Sequence, residues 1–185
     1  MTLITYSSDR TKSTETMQGS DGRANVSSRQ DSRGAYNSRD ASLSFNLLWD
    51  DASSEAGDFI LYIKNTDTTG KAMVVSTIGC NSAQTSSFKL HRVSGIAAAG
   101  TTVTPFCSNQ VTPKVSQSVA MEAAGTPITG LTSLGIFDHV GSAATSHGEM
   151  LLDDRVRIGQ DQAVALEYEQ GTTGRTWGRI SVYFE

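Results

Sequence analysis

The strongest constraint on this chain is the contrast between its two ends. Residues 8–42 are almost bare of large apolar side chains and full of Ser, Thr, Gly, Asn, Arg and Asp. A stretch of this composition cannot bury enough apolar surface to offset the entropy of ordering itself. Residues 43–185 read instead as one strand after another, ending on the alternating run from Arg175 to Glu185. The pattern predicts two parts: an extended N-terminal arm over 1–42, ordered by something outside the chain, and a β domain over 43–185. A polar arm ahead of a compact domain suits a protein that reaches across and ties partners together.

Alternation supplies the strands. Leu43, Phe45, Leu47 and Trp49 fall on one face of the first strong strand. The apolar run Phe59–Ile63 predicts a strand buried on both faces, and Asn65–Gly70 a turn. Further strands are expected over 72–78 (ended by Gly79), 85–93, 101–106, 114–121, 133–139, 149–158, 163–169 and 175–185. Pro105 marks an edge. The Gly171–Gly174 segment predicts a hairpin joining the last two strands. Unequal loops and the lack of an amphipathic helix favour an all-β antiparallel sandwich of jelly-roll type over an up-and-down barrel.

Charge limits the partners. Charged residues are 18% of the chain, below the usual share of about 25%. Ser and Thr make up roughly a quarter, well above ordinary usage. A surface short of charge and rich in hydroxyls packs readily against other proteins. The net charge of −4 argues against nucleic-acid binding, which needs clustered cations. No apolar run reaches the roughly 20 residues of a membrane span, and no signal-peptide pattern opens the chain. The expectation is a protein made in a cytoplasm and soluble there until it assembles. In the arm, Arg10, Arg23, Arg29, Arg33 and Arg39 alternate with acids, which suits protein–protein pairing; with Tyr36 they are the candidate partner-binding residues.

Residues with catalytic or metal-binding chemistry form no set. His91 is expected on the polar face of a strand; His139 and His147 are too far apart for a usual zinc pair. Asp50-Asp51 and Asp153-Asp154, with Glu55 or Asp58, offer oxygen ligands of the type Ca²⁺ takes, but without the EF-hand spacing they read as loop or edge charges. No Gly-x-Ser-x-Gly elbow and no Lys-bearing phosphate loop occur. No enzyme activity, metal or cofactor is expected. Cys80 and Cys107 read as buried thiols, with a single bridge left open. Trp49 and Trp177 read as packing residues. Were they exposed, they would offer the stacking platforms of a glycan- or receptor-binding module such as a phage tail or fibre tip, the alternative function.

The segment Gly57–Asp67 (GDFILYIKNTD) resembles a strand opening of structural proteins of tailed bacteriophages, and Val156–Tyr168 with Trp177–Glu185 resembles their closing strands. Those proteins are jelly-roll-like virion components, often decoration (cement) proteins on the capsid surface. The resemblance implies a β-sandwich that forms homotrimers, binds the major capsid protein, stabilises the shell through arm contacts and resides on the capsid surface of the virion.

Overall fold

The computed structural model describes residues 3–6, 12–18, 24–30, 43–142, 147–170 and 172–185. It is all-β, with no helix among these residues, and hence none long and apolar enough to cross a membrane. Three short strands, β1 (Leu3–Tyr6), β2 (Lys12–Gln18) and β3 (Ala24–Gln30), pair antiparallel only with one another. The composition of 8–42 gave no sign of β2 or β3. Their ladder matches Ser, Thr, Gln and charged residues, so backbone hydrogen bonding rather than an apolar pattern defines them.

Eleven strands follow: β4 (Ser44–Ser54), β5 (Asp58–Asn65), β6 (Met73–Ser82), β7 (Ser86–Gly95), β8 (Thr101–Val103), β9 (Phe106–Cys107), β10 (Ser118–Glu122), β11 (Leu131–Ser142), β12 (His147–Ile158), β13 (Ala163–Gln170) and β14 (Gly174–Phe184). They form a six-stranded sheet in the order β11-β7-β13-β5-β10-β8 and a five-stranded sheet in the order β12-β6-β14-β4-β9, every pairing antiparallel.

One core lies between the sheets. Phe45, Leu47, Trp49, Ile78, Ile180, Val182 and Phe184 reach it from the five-stranded sheet, and Ile63, Phe88, Leu90, Val164, Leu166 and Tyr168 from the other. Each fully buried large side chain contributes about 1.5–3 kcal/mol. The aromatic members meet edge-on: Trp49 stands 6.4 Å from Phe88, and Phe45 stands 5.8 Å from Phe184. β5 is buried on both faces, as its unbroken apolar run requires, because Tyr62 faces outward into a second cluster with Val93, Ile128, Ala163 and Ala165.

Four expectations are corrected. β13 and β14 form no hairpin: β13 pairs with β5 and β7, β14 with β4 and β6, so the 171–174 connection crosses from one sheet to the other. β6 runs through Gly79, where a Cβ would lie 2.7 Å from the His147 ring; glycine makes room for that imidazole and does not end the strand. The strand expected over 114–121 is confined to Ser118–Glu122, where Ala120 makes the core contact, and Val115 lies outside it in the preceding loop. His91 is only 6% exposed, because Phe59 and the edge strand β11 cover it.

Buried Asp51, Asn65 and Asp67 are each partnered, whereas the indole Nε1 of Trp49 has no hydrogen-bond partner among the described residues. Asp51, 1% exposed, accepts from Ser54 Oγ at 2.5 Å and from the Gly125 amide. It thereby holds the β10–β11 turn, where Ala124 has a φ of 49°. Asn65 donates to the carbonyls of Lys71 and Ile158, both at 2.9 Å, and accepts from Asp67 N. Asp67 in turn accepts from the amide and hydroxyl of Thr69, each at 2.7 Å. The Thr69 hydroxyl is the main cause of its lowered carboxyl pKa.

Cys80 and Cys107 are buried and form no disulfide, and burial pushes the Cys80 thiol up to about 12. A thiol held so far above neutrality is protonated and unreactive. Folded protein at pH 8 should therefore leave Cys80 unmodified by Ellman's reagent, and denatured protein should expose it; rapid labelling of Cys80 in native buffer would contradict this packing. Gly178 sits against the indole of Trp49, and an added Cβ would lie 2.8 Å from Trp49 Cζ2 and strike the Gly79 carbonyl. Gly178→Ala should lower stability by about 1–3 kcal/mol through overpacking, read as a shifted urea midpoint at constant slope. An unchanged midpoint would mean this contact is not close-packed.

Candidate interaction surfaces

Both sheets end in strands with an open edge. β11 and β12 lie beside each other on one flank of the molecule, β8 and β9 on the other. An edge strand presents unpaired N–H and C=O groups, a template for another chain unless charge or covering blunts it. Here the flanks carry apolar side chains. Leu134, Ile136, Phe137 and Leu151 are exposed on the β11/β12 flank. Phe106 and Val119 are exposed on the other, beside Val111 and Val115 of the 108–117 loop. Register shifts between Ser133 and Gly135 and between Ile136 and Asp138 make β11 irregular, which turns neighbouring apolar residues toward different sides.

A cleft of about 190 Å³ opens between the sheets at the β11/β12 flank, lined by Arg92, Phe137, Arg157, Ile158 and Val164. Arg157 pairs with Glu185. A second cleft, of about 320 Å³, lies where the chain enters the body, between Leu43, Asp67, Lys71, Val115 and Phe184.

A polar row crosses the outer face of the six-stranded sheet. His91 Nδ1 lies 2.8 Å from Ser133 Oγ, and His91 Nε2 lies 2.5 Å from Glu167 Oε2. The Phe59 ring meets the imidazole edge-on at 5.5 Å. Next in the row, Glu169 receives Ser87 Oγ at 3.0 Å, His139 Nε2 at 2.9 Å and the Lys89 ammonium. Lys89 is the main cause of the lowered Glu169 pKa. Hydroxyl, imidazole and carboxylate do stand in line at Ser133, His91 and Glu167, but neither cleft includes Ser133. What the row does is tie edge strand β11 to β7 and β13.

The remaining sequence candidates are accounted for individually. Asp50 is held in a forked pair by Arg175, Nε to Oδ1 at 2.8 Å and Nη2 to Oδ2 at 2.5 Å, which keeps its carboxyl below the usual range. The same guanidinium covers Trp177 at 5.4 Å, and Trp49 is in the core. His147 Nδ1 meets Asn81 Oδ1 at 3.1 Å. Asp153 and Asp154 fall at the register break of β12 between Leu151 and Val156. Among the described residues, no three His, Cys, Asp or Glu gather as a metal site. Arg10, Arg23, Arg33, Tyr36 and Arg39 lie outside the described residues; Arg29 falls on β3, where its backbone pairs with Ser13.

The apolar flanks went unnoticed in the sequence. Their signal was the loss of alternation in 133–139, where Leu134, Ile136 and Phe137 cannot all face one core. Comparison with family models, with curated proteins and with solved structures finds no match.

Asp50, Asp67 and Glu169 share a direction: each carboxyl is held below its ordinary value in the folded state. Such groups contribute stability that is present above the unfolded-state pKa and lost as pH falls through the folded one. The unfolding free energy should be flat from neutrality to about pH 5 and fall below about pH 4. Asp67→Asn should flatten that fall in acid urea titrations; an identical acid limb would show that Asp67 does not contribute.

Proposed function

We propose that this chain is a capsid decoration (cement) protein of a tailed bacteriophage, a jelly-roll-like body with an N-terminal arm, which acts as a homotrimer on the capsid surface. It has no catalytic role in this reading.

The order of the eight long strands carries it. Taken along the chain, β4, β5, β6, β7, β11, β12, β13 and β14 fall into two four-stranded sets, β4-β14-β6-β12 and β5-β13-β7-β11. The steps β4–β5, β5–β6, β6–β7, β11–β12, β12–β13 and β13–β14 each cross from one sheet to the other, and β7–β11 stays within one sheet, the alternation expected of two Greek keys wrapped into a double sheet. That arrangement supports the jelly-roll reading, and viral capsid domains use such a body. Open flanks with exposed apolar side chains support assembly with like or unlike subunits.

In this reading the arm gains order on the shell and loses its chain entropy at that moment. Many copies, each with weak contacts to the major capsid protein, add through multivalency. Arginines such as Arg10 and Arg39 give forked hydrogen bonds to carboxylates or carbonyls of the shell. Synthesis takes place in the host cytoplasm.

The test uses the full chain and a version lacking residues 1–42, sedimented with shells built from the major capsid protein of the same virus. The full chain should pellet with the shells, and the truncated chain should keep its fold and stay in the supernatant. Equal occupancy by both would remove the clamping role of the arm, and no binding by the full chain would remove the decoration reading altogether.

A further inference from the structure

The two flanks carry side chains of opposite charge at the ends of their core-facing rows. On the inward face of β7, Phe88 and Leu90 enter the core, and Arg92, the next residue on that face, reaches past it into the β11/β12 cleft. On the inward face of β10, Ala120 enters the core, and Glu122, the next residue on that face, reaches past it at the opposite flank. Glu122 Oε2 accepts the Asp50 amide of the facing sheet at 2.9 Å. Among the described residues neither Arg92 nor Glu122 has an ion-pair partner.

The ladder places them at nearly one height. Arg92 pairs with Val164, Val164 with Ile63, and Ile63 with Ala120, so Glu122 stands two residues along from the level of Arg92. Two residues of strand span about 7 Å. Apolar side chains lie near each charge: Phe137 lines the cleft with Arg92, and Val119 and Phe106 are exposed on the Glu122 flank.

We propose that the β11/β12 flank of one copy packs against the β8/β9/β10 flank of the next, with Arg92 of one copy paired to Glu122 of its neighbour. The occupant of the Arg92 cleft is thus a second copy of this chain. Two different patches on one chain make a head-to-tail contact, and with a rotation that closes after a few copies such contacts form a ring. This deepens the homotrimer of the proposed function and rests on that reading, since it assigns the surfaces by which copies meet. The guanidinium fork supplies register and the apolar rim supplies burial.

The experiment is sedimentation velocity of the full chain over a micromolar concentration series. The variants are Arg92→Glu, Glu122→Arg, the double Arg92→Glu/Glu122→Arg, and Glu122→Gln, which keeps an acceptor for the Asp50 amide and removes the charge. Circular dichroism and thermal melting check the fold of each. The wild type should form a small closed oligomer. Each single reversal should weaken it by about tenfold or more, as like charges meet at the contact. Glu122→Gln should weaken it with its melting temperature unchanged, and the double reversal should restore assembly. An oligomer indifferent to the single reversals, or a double variant no better than the singles, would overturn this pairing and leave the homotrimer standing. A wild type that stays monomeric throughout the series would overturn both.

Discussion

Everything in this molecule depends on one slab of apolar side chains held between two sheets. Neither sheet covers it alone. The five-stranded sheet supplies Phe45, Leu47, Trp49, Ile180 and Phe184, and the six-stranded sheet supplies Phe88, Leu90, Leu166 and Tyr168. Strand alternation makes this possible, since every second residue points inward. The chain must then cross repeatedly between sheets, so that strands distant in sequence become neighbours. The buried polar groups serve the same slab. Asp51 anchors the β10–β11 turn to β4, and Asn65 joins the β5–β6 turn to the end of β12.

Closing the core face to face leaves the lateral flanks open, and this is where structure turns toward function. A barrel would have no edges; two stacked sheets have four. In this chain the edge strands β11, β12 and β9 expose Leu134, Phe137, Leu151 and Phe106, and β10 exposes Val119 near the β8 edge. The outer face of the six-stranded sheet, by contrast, is filled by its own side chains: the Tyr62 cluster at one end and the histidine–glutamate row at the other. The flanks rather than the outer face of that sheet are thus the surfaces that favour a partner.

Much of the fold was legible in sequence because alternation is a local property. The inward set of β4 could be read from Phe45, Leu47 and Trp49, and the burial of β5 from its unbroken apolar run. What was not legible depends on the partner strand. A Gly-bearing four-residue link after β13 looks the same whether the next strand pairs beside it or crosses to the other sheet. Gly79 looks like a stop until the His147 ring above it is known. His91 does lie on the outward face, yet its burial there depends on Phe59 and Ser133, which are far away in the chain. The charges at Arg92 and Glu122 drew no notice for the same reason: each continues a core-facing row, and only the end of the core makes it a surface group.

Native-state hydrogen exchange of the isolated body, residues 43–185, tests the shared core most directly. The account predicts that central amides of β14 and β6 in one sheet and of β13 and β5 in the other exchange only through global unfolding, with one common free energy and one common denaturant slope. Two separate free energies, one for each sheet, would contradict it, since the sheets would then open independently and no single core would join them.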